Sequence, residues 1–284
     1  MLRRLLVPVR GDGMGESQIN HAARLAHLHK SHIVVAHSRT APENLSPYGR
    51  TMTNFARQTM LDQAKELADQ EEKALREDLH RLAEALDLQE TDTPDGTRAT
   101  VSFVEEFGHM ADVIKHNGRL ADLIVVSKPR RDRNLGVNSL KSGLFETGRP
   151  VLMCPKDQAP PDDLGTRVAV AWNGSLEAAR TVGLTLPIVE AAQSVTILSG
   201  GKERVHGATT EELLDYYALR GITAELHRFD AQRPHEALLA KTMEVGAHLL
   251  IMGAYGQGHG REALFGGNTQ AIVDTAKIPV MMAH

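Results

Sequence analysis

The sequence predicts an α/β fold of two tandem units, each a five-stranded parallel sheet with helices on both faces. Three observations carry this. Short β-rich apolar runs alternate with longer helical patterns, the mark of successive β-α-β units. The whole pattern occurs twice within 284 residues, a period far longer than that of a solenoid. A glycine-rich run follows the fourth apolar strand of the second copy, at the strand end where parallel sheets take up ligands.

The first copy opens with RRLLVPVRGDGMGESQINHAARLAHLHKSHIVVAHS and the second with TRVAVAWNGSLEAARTVGLTLPIVEAAQSVTILSG. Each reads as an apolar strand, a glycine-containing turn, an amphipathic helix and a second strand. In the first copy strands are expected near 5–9, 32–37, 100–104, 123–127 and 151–154, with helices between them. A long helical stretch from about 51 to 86 offers Leu61, Ala64, Leu67, Ala68, Ala74, Leu75, Leu79, Leu82 and Leu86 for one face, and its other face is charged. It reads as a surface helix because the apolar spacing keeps no strict heptad. Residues 156–165 are polar, carry two adjacent prolines and read as a short stiff linker. The expected domains are therefore 1–156 and 165–284. In the second copy strands are expected near 168–172, 194–198, 223–228, 249–252 and 280–283, with a shorter helix over 209–220. The copies also close alike: ADLIVVSKPR answers AHLLIMGAYG, and RPVLMCP answers IPVMMAH.

Composition narrows the function. A formal charge of −4 argues against a nucleic-acid surface, and Lys128, Arg130, Arg131 and Arg133, clustered with Pro129, read as a solvated loop. Cys154 is the sole cysteine, inside an apolar strand, so it is expected to be a buried structural thiol in a reducing compartment. The N-terminus is too short for a signal core and no apolar run reaches bilayer length, so a cytoplasmic protein without membrane contact is expected. His27 and His29 point to different helix faces, and no Cys or carboxylate cluster adds a metal ligand set. GlyAspGlyMetGly at 11–15 has Glu16 in place of a third dinucleotide glycine, and SerGlyGlyLys at 199–202 lacks the residues that a pyrophosphate loop needs after it.

The run LLIMGAYGQGHGREALFGGNT, residues 249–269, is the strongest signal. Glycine concentrated at the end of a buried strand lets the backbone turn sharply and bring N–H groups to a ligand, with a helix N-terminus completing an anion site. On that reading a branched side chain at Gly253 or Gly256 obstructs the ligand. The spacing Gly253, two residues, Gly256, nine residues, Gly266 resembles the nucleotide-binding signature of the universal stress protein family. There a small residue, usually Ser or Thr, follows the last glycine; here it is Gly267, and Thr269 or backbone N–H groups would have to replace the hydroxyl.

The resemblance covers nearly the whole chain as two copies. It implies tandem Rossmann-like, adenine nucleotide alpha hydrolase-like domains with strand order 3-2-1-4-5 and a crevice between the first and fourth strands. It also implies that the fifth strands meet across a dyad-like interface, which a tandem chain satisfies internally as a pseudo-dimer; further homodimerisation is left open. The ligand implied is ATP or another adenine nucleotide, with or without Mg, beside an unknown protein partner. Contacts are expected from the loop at Met252, Gly253, Gly256, Gly258 and His259, and from Gly266, Gly267, Asn268 and Thr269 at the helix start. Trp172, Asn173 and Leu198 contribute from the strand ends. Asn173 stands where nucleotide-binding relatives have an Asp, and it keeps an acceptor oxygen; Arg10, its counterpart in the first copy, has none. The first copy also has ValSerLysProArgArgAspArgAsn where the second has glycines, so its nucleotide site reads as eroded. The expected function is a nucleotide-binding sensor or interaction module of the stress response, with slow ATP hydrolysis at most. The alternative is a nucleotide-free scaffold acting through partner contacts, and a third reading is an enzyme of the alpha hydrolase-like group.

Overall fold

The computed structural model describes residues 1–10, 15–39, 53–130, 136–155, 158–200, 207–230, 232–256 and 267–284. The first half runs β1 (Arg4–Val9), α1 (Gly15–His29), β2 (His32–Arg39), α2 (Asn54–Ala85), β3 (Gln89–Glu90), β4 (Thr100–Phe107), α3 (Met110–Gly118), β5 (Leu123–Ser127), α4 (Val137–Glu146) and β6 (Val151–Cys154). The second runs β7 (Arg167–Trp172), α5 (Leu176–Ala191), β8 (Ser194–Gly200), α6 (Thr210–Ala218), β9 (Ala224–Phe229), α7 (Pro234–Glu244), β10 (Leu249–Gly253), α8 (Asn268–Thr275) and β11 (Val280–Ala283).

The eleven strands of the described residues join one sheet in the order β3-β4-β2-β1-β5-β6-β11-β10-β7-β8-β9. Setting the short β3 aside, each half reads third, second, first, fourth, fifth from its outer edge. Neighbours are parallel within each half, while β6 and β11 meet antiparallel, with Val280 opposite Met153, Met281 opposite Leu152 and Met282 opposite Val151. Strand side chains alternate between two cores. Leu5, Val7 and Val9 face a layer containing α1, α2, α5 and α6, and Leu6 faces a layer containing α3, α4, α7 and α8. Because both faces are covered, the central strands are apolar throughout rather than alternating. Cys154 is fully buried there, and burial raises its thiol pKa well above the ordinary range, which keeps it protonated and inert.

Two local differences from the sequence reading have physical causes. Strand β4 continues past 104 through Glu105 and Glu106; Glu105 is retained because it accepts from Arg39 at 3.3 Å and lies 3.1 Å from His37 Nδ1. On α2 only Leu79 and Ala83 are buried, while Leu67 is 66% exposed. Ala74 is exposed as well. At 3.6 residues per turn Leu67 and Ala74 lie more than a quarter turn from Leu79, off the packed face.

The joint between the halves extends beyond the strand pair. Lys128 is no idle solvent-facing side chain: its Nζ donates to Ala276 O at 2.8 Å, completing a carbonyl at the C-terminus of α8 across the joint. Burial lowers its pKa, the Coulombic pull of Asp274 opposing this. On the same side Phe145 of α4 packs edge-on against His284 and tilted against Tyr255.

Candidate functional site

A cavity of about 340 Å³ opens at the carboxyl ends of β7 and β10. From β7 one connection leads through α5 to β8, and β10 is reached by a crossover from the opposite edge, so this is the point where the winding reverses and a crevice must form. Ala171, Trp172 and Asn173 border it from β7, Leu198 and Gly200 from β8, and Met252, Gly253, Tyr255 and Gly256 from β10 and the turn beyond. Gly267, Asn268 and Thr269 close it at the start of α8, and Phe229 and Leu238 make a side wall with the His235 ring.

The start of α8 gives the cavity its electrostatic character. Gly267 is the N-cap, in the left-handed region at φ 88°, a conformation that glycine adopts without a Cβ penalty. It supplies no capping side chain, and the first turn carries no acid. A Cβ on Gly267 would meet nothing within 4 Å among the described residues. Among the described residues no side chain caps the N-terminal N–H groups at the cavity wall, where their dipoles favour an anion.

Other expected contacts are partly engaged within the protein. Asn173 Oδ1 accepts from Ser175 N at 3.1 Å, closing the turn into α5. Ser175 Oγ in turn caps that helix by accepting from Ala178 N at 3.2 Å. The Trp172 indole donates to Ala208 O at 3.1 Å. Thr269 Oγ1 accepts from Tyr255 N at 3.1 Å, so the hydroxyl ties the turn after β10 to α8. Gly253 is glycine for a reason local to the fold: a Cβ there would lie 2.6 Å from Ala178 N and 2.7 Å from Glu177 C in the first turn of α5. At Gly256 a Cβ would instead meet Glu177 Oε2 at 2.6 Å, which puts a carboxylate beside the glycine turn.

Of the residues singled out from sequence, Trp172, Asn173, Leu198, Met252, Gly253, Gly256, Gly267, Asn268 and Thr269 all border this cavity. Gly258, His259 and Gly266 lie outside the described residues. Glu177, Phe229, His235, Leu238 and Tyr255 were not anticipated; only Tyr255, inside the glycine run, stood close to a signal.

In the first half the corresponding place is built differently. Gly136 caps α4 at φ 78°, but a Cβ on it would sit 3.3 Å from Pro129 Cα, so the turn lies close upon itself. Arg10, following β1, reaches Ser139 Oγ in the first turn of α4 at 3.5 Å, placing a guanidinium beside that helix N-terminus. A hollow of about 420 Å³ lies on the opposite face, under α2, bordered by Leu75, Leu79, Leu82 and Phe103. No helix N-terminus other than that of α1 borders it among the described residues.

Comparison with known proteins adds the decisive observation for the second half: the model of the Universal stress protein family matches residues 166–284. Residues 166–284 are a universal stress protein domain. No curated protein matches the chain. Among solved structures, a universal stress protein from Archaeoglobus fulgidus DSM 4304 superposes over 99% of this chain and 97% of that one, with a TM-score of 0.73 at 16% identity. A putative universal stress protein from Pseudomonas aeruginosa UCBPP-PA14 covers 99% and 93% with a TM-score of 0.55, also at 16% identity. These likenesses show the fold across the whole chain. A universal stress protein in complex with cAMP matches 41% of this chain and 95% of that one at 21% identity and a TM-score of 0.34, too slight an overlap to carry an argument. The universal stress protein domain therefore contains the whole cavity, from Ala171 to Ile272.

Proposed function

We propose that the chain is a tandem universal stress protein that binds an adenine nucleotide in the crevice of its second half. The observation that carries the reading is the start of α8 at Gly267, Asn268 and Thr269, opening on a cavity at the winding reversal. The side wall of Phe229, His235 and Leu238 suits a flat base, and the α8 N–H groups suit a phosphate. Glu177, beside Gly256, opposes a bare phosphate and supplies a hard oxygen ligand for Mg, which proteins hold by one or two carboxylates together with nucleotide phosphates. The residues present thus fit a Mg nucleotide. Arg10 beside α4 and the closed Gly136 turn support an eroded first site, with domains at 1–156 and 165–284. The role is that of a cytoplasmic sensor or interaction module in the stress response, with binding rather than turnover as its chemistry, and a protein partner to read it. Among the described residues no helix is long and apolar enough to cross a membrane, consistent with that setting.

A nucleotide-free scaffold is the second reading, favoured by the internal engagement of Asn173 Oδ1 and by Glu177 in the cradle. Titration calorimetry with ATP, with and without Mg, decides between them. One nucleotide per chain, tighter with Mg, is expected. Two equivalent sites would sink the asymmetry between the halves, and no binding at all would leave the scaffold.

A further inference from the structure

We propose that Phe145, in the half without the glycine run, positions the turn that shapes the nucleotide crevice of the other half; this rests on the nucleotide reading above. Tyr255 has φ 55°, a left-handed conformation that a side chain with a Cβ keeps only when its surroundings hold it. Its backbone N–H donates to Thr269 Oγ1 at 3.1 Å and its hydroxyl to Gln270 Oε1 at 3.3 Å. Tyr255 thereby joins the end of β10 to the first turn of α8, and both border the crevice.

The ring of Tyr255 rests on the first half. Its centroid lies 5.5 Å from that of Phe145, and Phe145 also meets the His284 ring edge-on at 4.7 Å. His284 Nδ1 lies 3.1 Å from Ala254 O, while Ala254 N donates to Ala283 O at 2.8 Å. Phe145 thus backs the residue with the unusual dihedral and the C-terminal residue that holds its chain neighbour. Lys128, also from the first half, secures the far end of α8 through Ala276 O. The helix that presents its N-terminus to the ligand is therefore set from both ends by contacts that cross the joint or depend on it. Removing Phe145 takes away the support of the Tyr255 ring from the first half, and the turn, the Thr269 tie and the crevice wall shift with it.

The test uses the full chain and two readouts, the exchange rate of the Tyr255 amide and ATP affinity by calorimetry. Phe145→Ala is expected to speed Tyr255 exchange and weaken ATP by about three- to tenfold, the worth of a lost aromatic pair. Phe145→Tyr should restore both. Leu25→Ala, a buried α1 position facing the other core, lowers global stability and should leave both near the unaltered values. Unchanged Tyr255 exchange in Phe145→Ala, or an equal effect from Leu25→Ala, overturns the proposal. If the unaltered chain takes no ATP, the nucleotide reading fails, and Tyr255 exchange alone decides whether Phe145 holds the turn.

Discussion

Gly253 and Gly256 look equivalent in the sequence, yet their missing Cβ atoms serve different neighbours. At Gly253 the neighbour is backbone, the Glu177–Ala178 peptide of α5, which cannot move without shifting the helix. At Gly256 it is the end of the Glu177 side chain, which can swing away. Gly253→Ala should therefore lower the stability of the ligand-free protein by about 1–3 kcal/mol, the range of an overpacked core position. Gly256→Ala should change it by less than about 0.5 kcal/mol and act on ATP affinity instead. Urea unfolding of both variants checks the contrast, and equal losses would mean that β10 and α5 are less tightly apposed than described. To the expectation that a branched residue at Gly253 obstructs the ligand, the structure adds that its Cβ first meets the backbone of α5. Spacing alone cannot distinguish a glycine kept for a ligand from one kept for a helix.

Helix α2 differs from its counterpart α6 in what holds it. The nine residues of α6 carry a capping box between Thr209 and Glu212 and bury Leu213 and Tyr217. The 32 residues of α2 bury only Leu79 and Ala83, so its first half depends on polar ties. Arg39, 9% exposed at the end of β2, pairs with Asp69, with Glu72 at 3.6 Å and with Glu105 at 3.3 Å. The guanidinium of Arg76 lies 4.4 Å above the Phe103 ring. Arg39→Ala is expected to destabilise the chain by about 1–3 kcal/mol, less than a fully buried pair because Asp69 and Glu72 keep solvent. It should also raise amide exchange upstream of Glu72. A change confined to the sheet, with α2 protection intact, would show that apolar contacts hold the helix instead. The charged face of α2 was legible in the sequence, whereas Arg39 as its anchor was not, because Arg39 stands thirty residues from Asp69 in the chain.

For the whole molecule, the antiparallel β6–β11 pair removes two edges that would otherwise stand open between the halves. An unpaired apolar edge strand is a template for association. Val280 and Met282 are fully buried in this joint. Residues 165–284 expressed alone should therefore form dimers in light scattering through β11, and Met282→Lys should weaken them. A folded monomer at high concentration would assign the joint to something other than strand pairing. The separated half should also bind ATP more weakly than the full chain, because Phe145 and Lys128 are gone from beside Tyr255 and α8.

What the sequence by itself determined is the repeated alternation of strands and helices, the glycine turn and its place after β10. These are local signals: burial on both faces makes a strand continuously apolar, one-sided burial gives a helix its stripe, and a sharp turn selects glycine. The folded structure alone decided which distant side chains share the crevice and which half supports it. Phe229, His235 and Leu238 reach the crevice only because β9 pairs with β8 and α7 packs against both β8 and α8. Phe145 and Lys128 reach Tyr255 and Ala276 only because β6 pairs with β11 in one register. The Phe145 and Lys128 contacts join residues more than a hundred positions apart, and the periodicity of a chain carries the burial of each segment but not the identity of its neighbour.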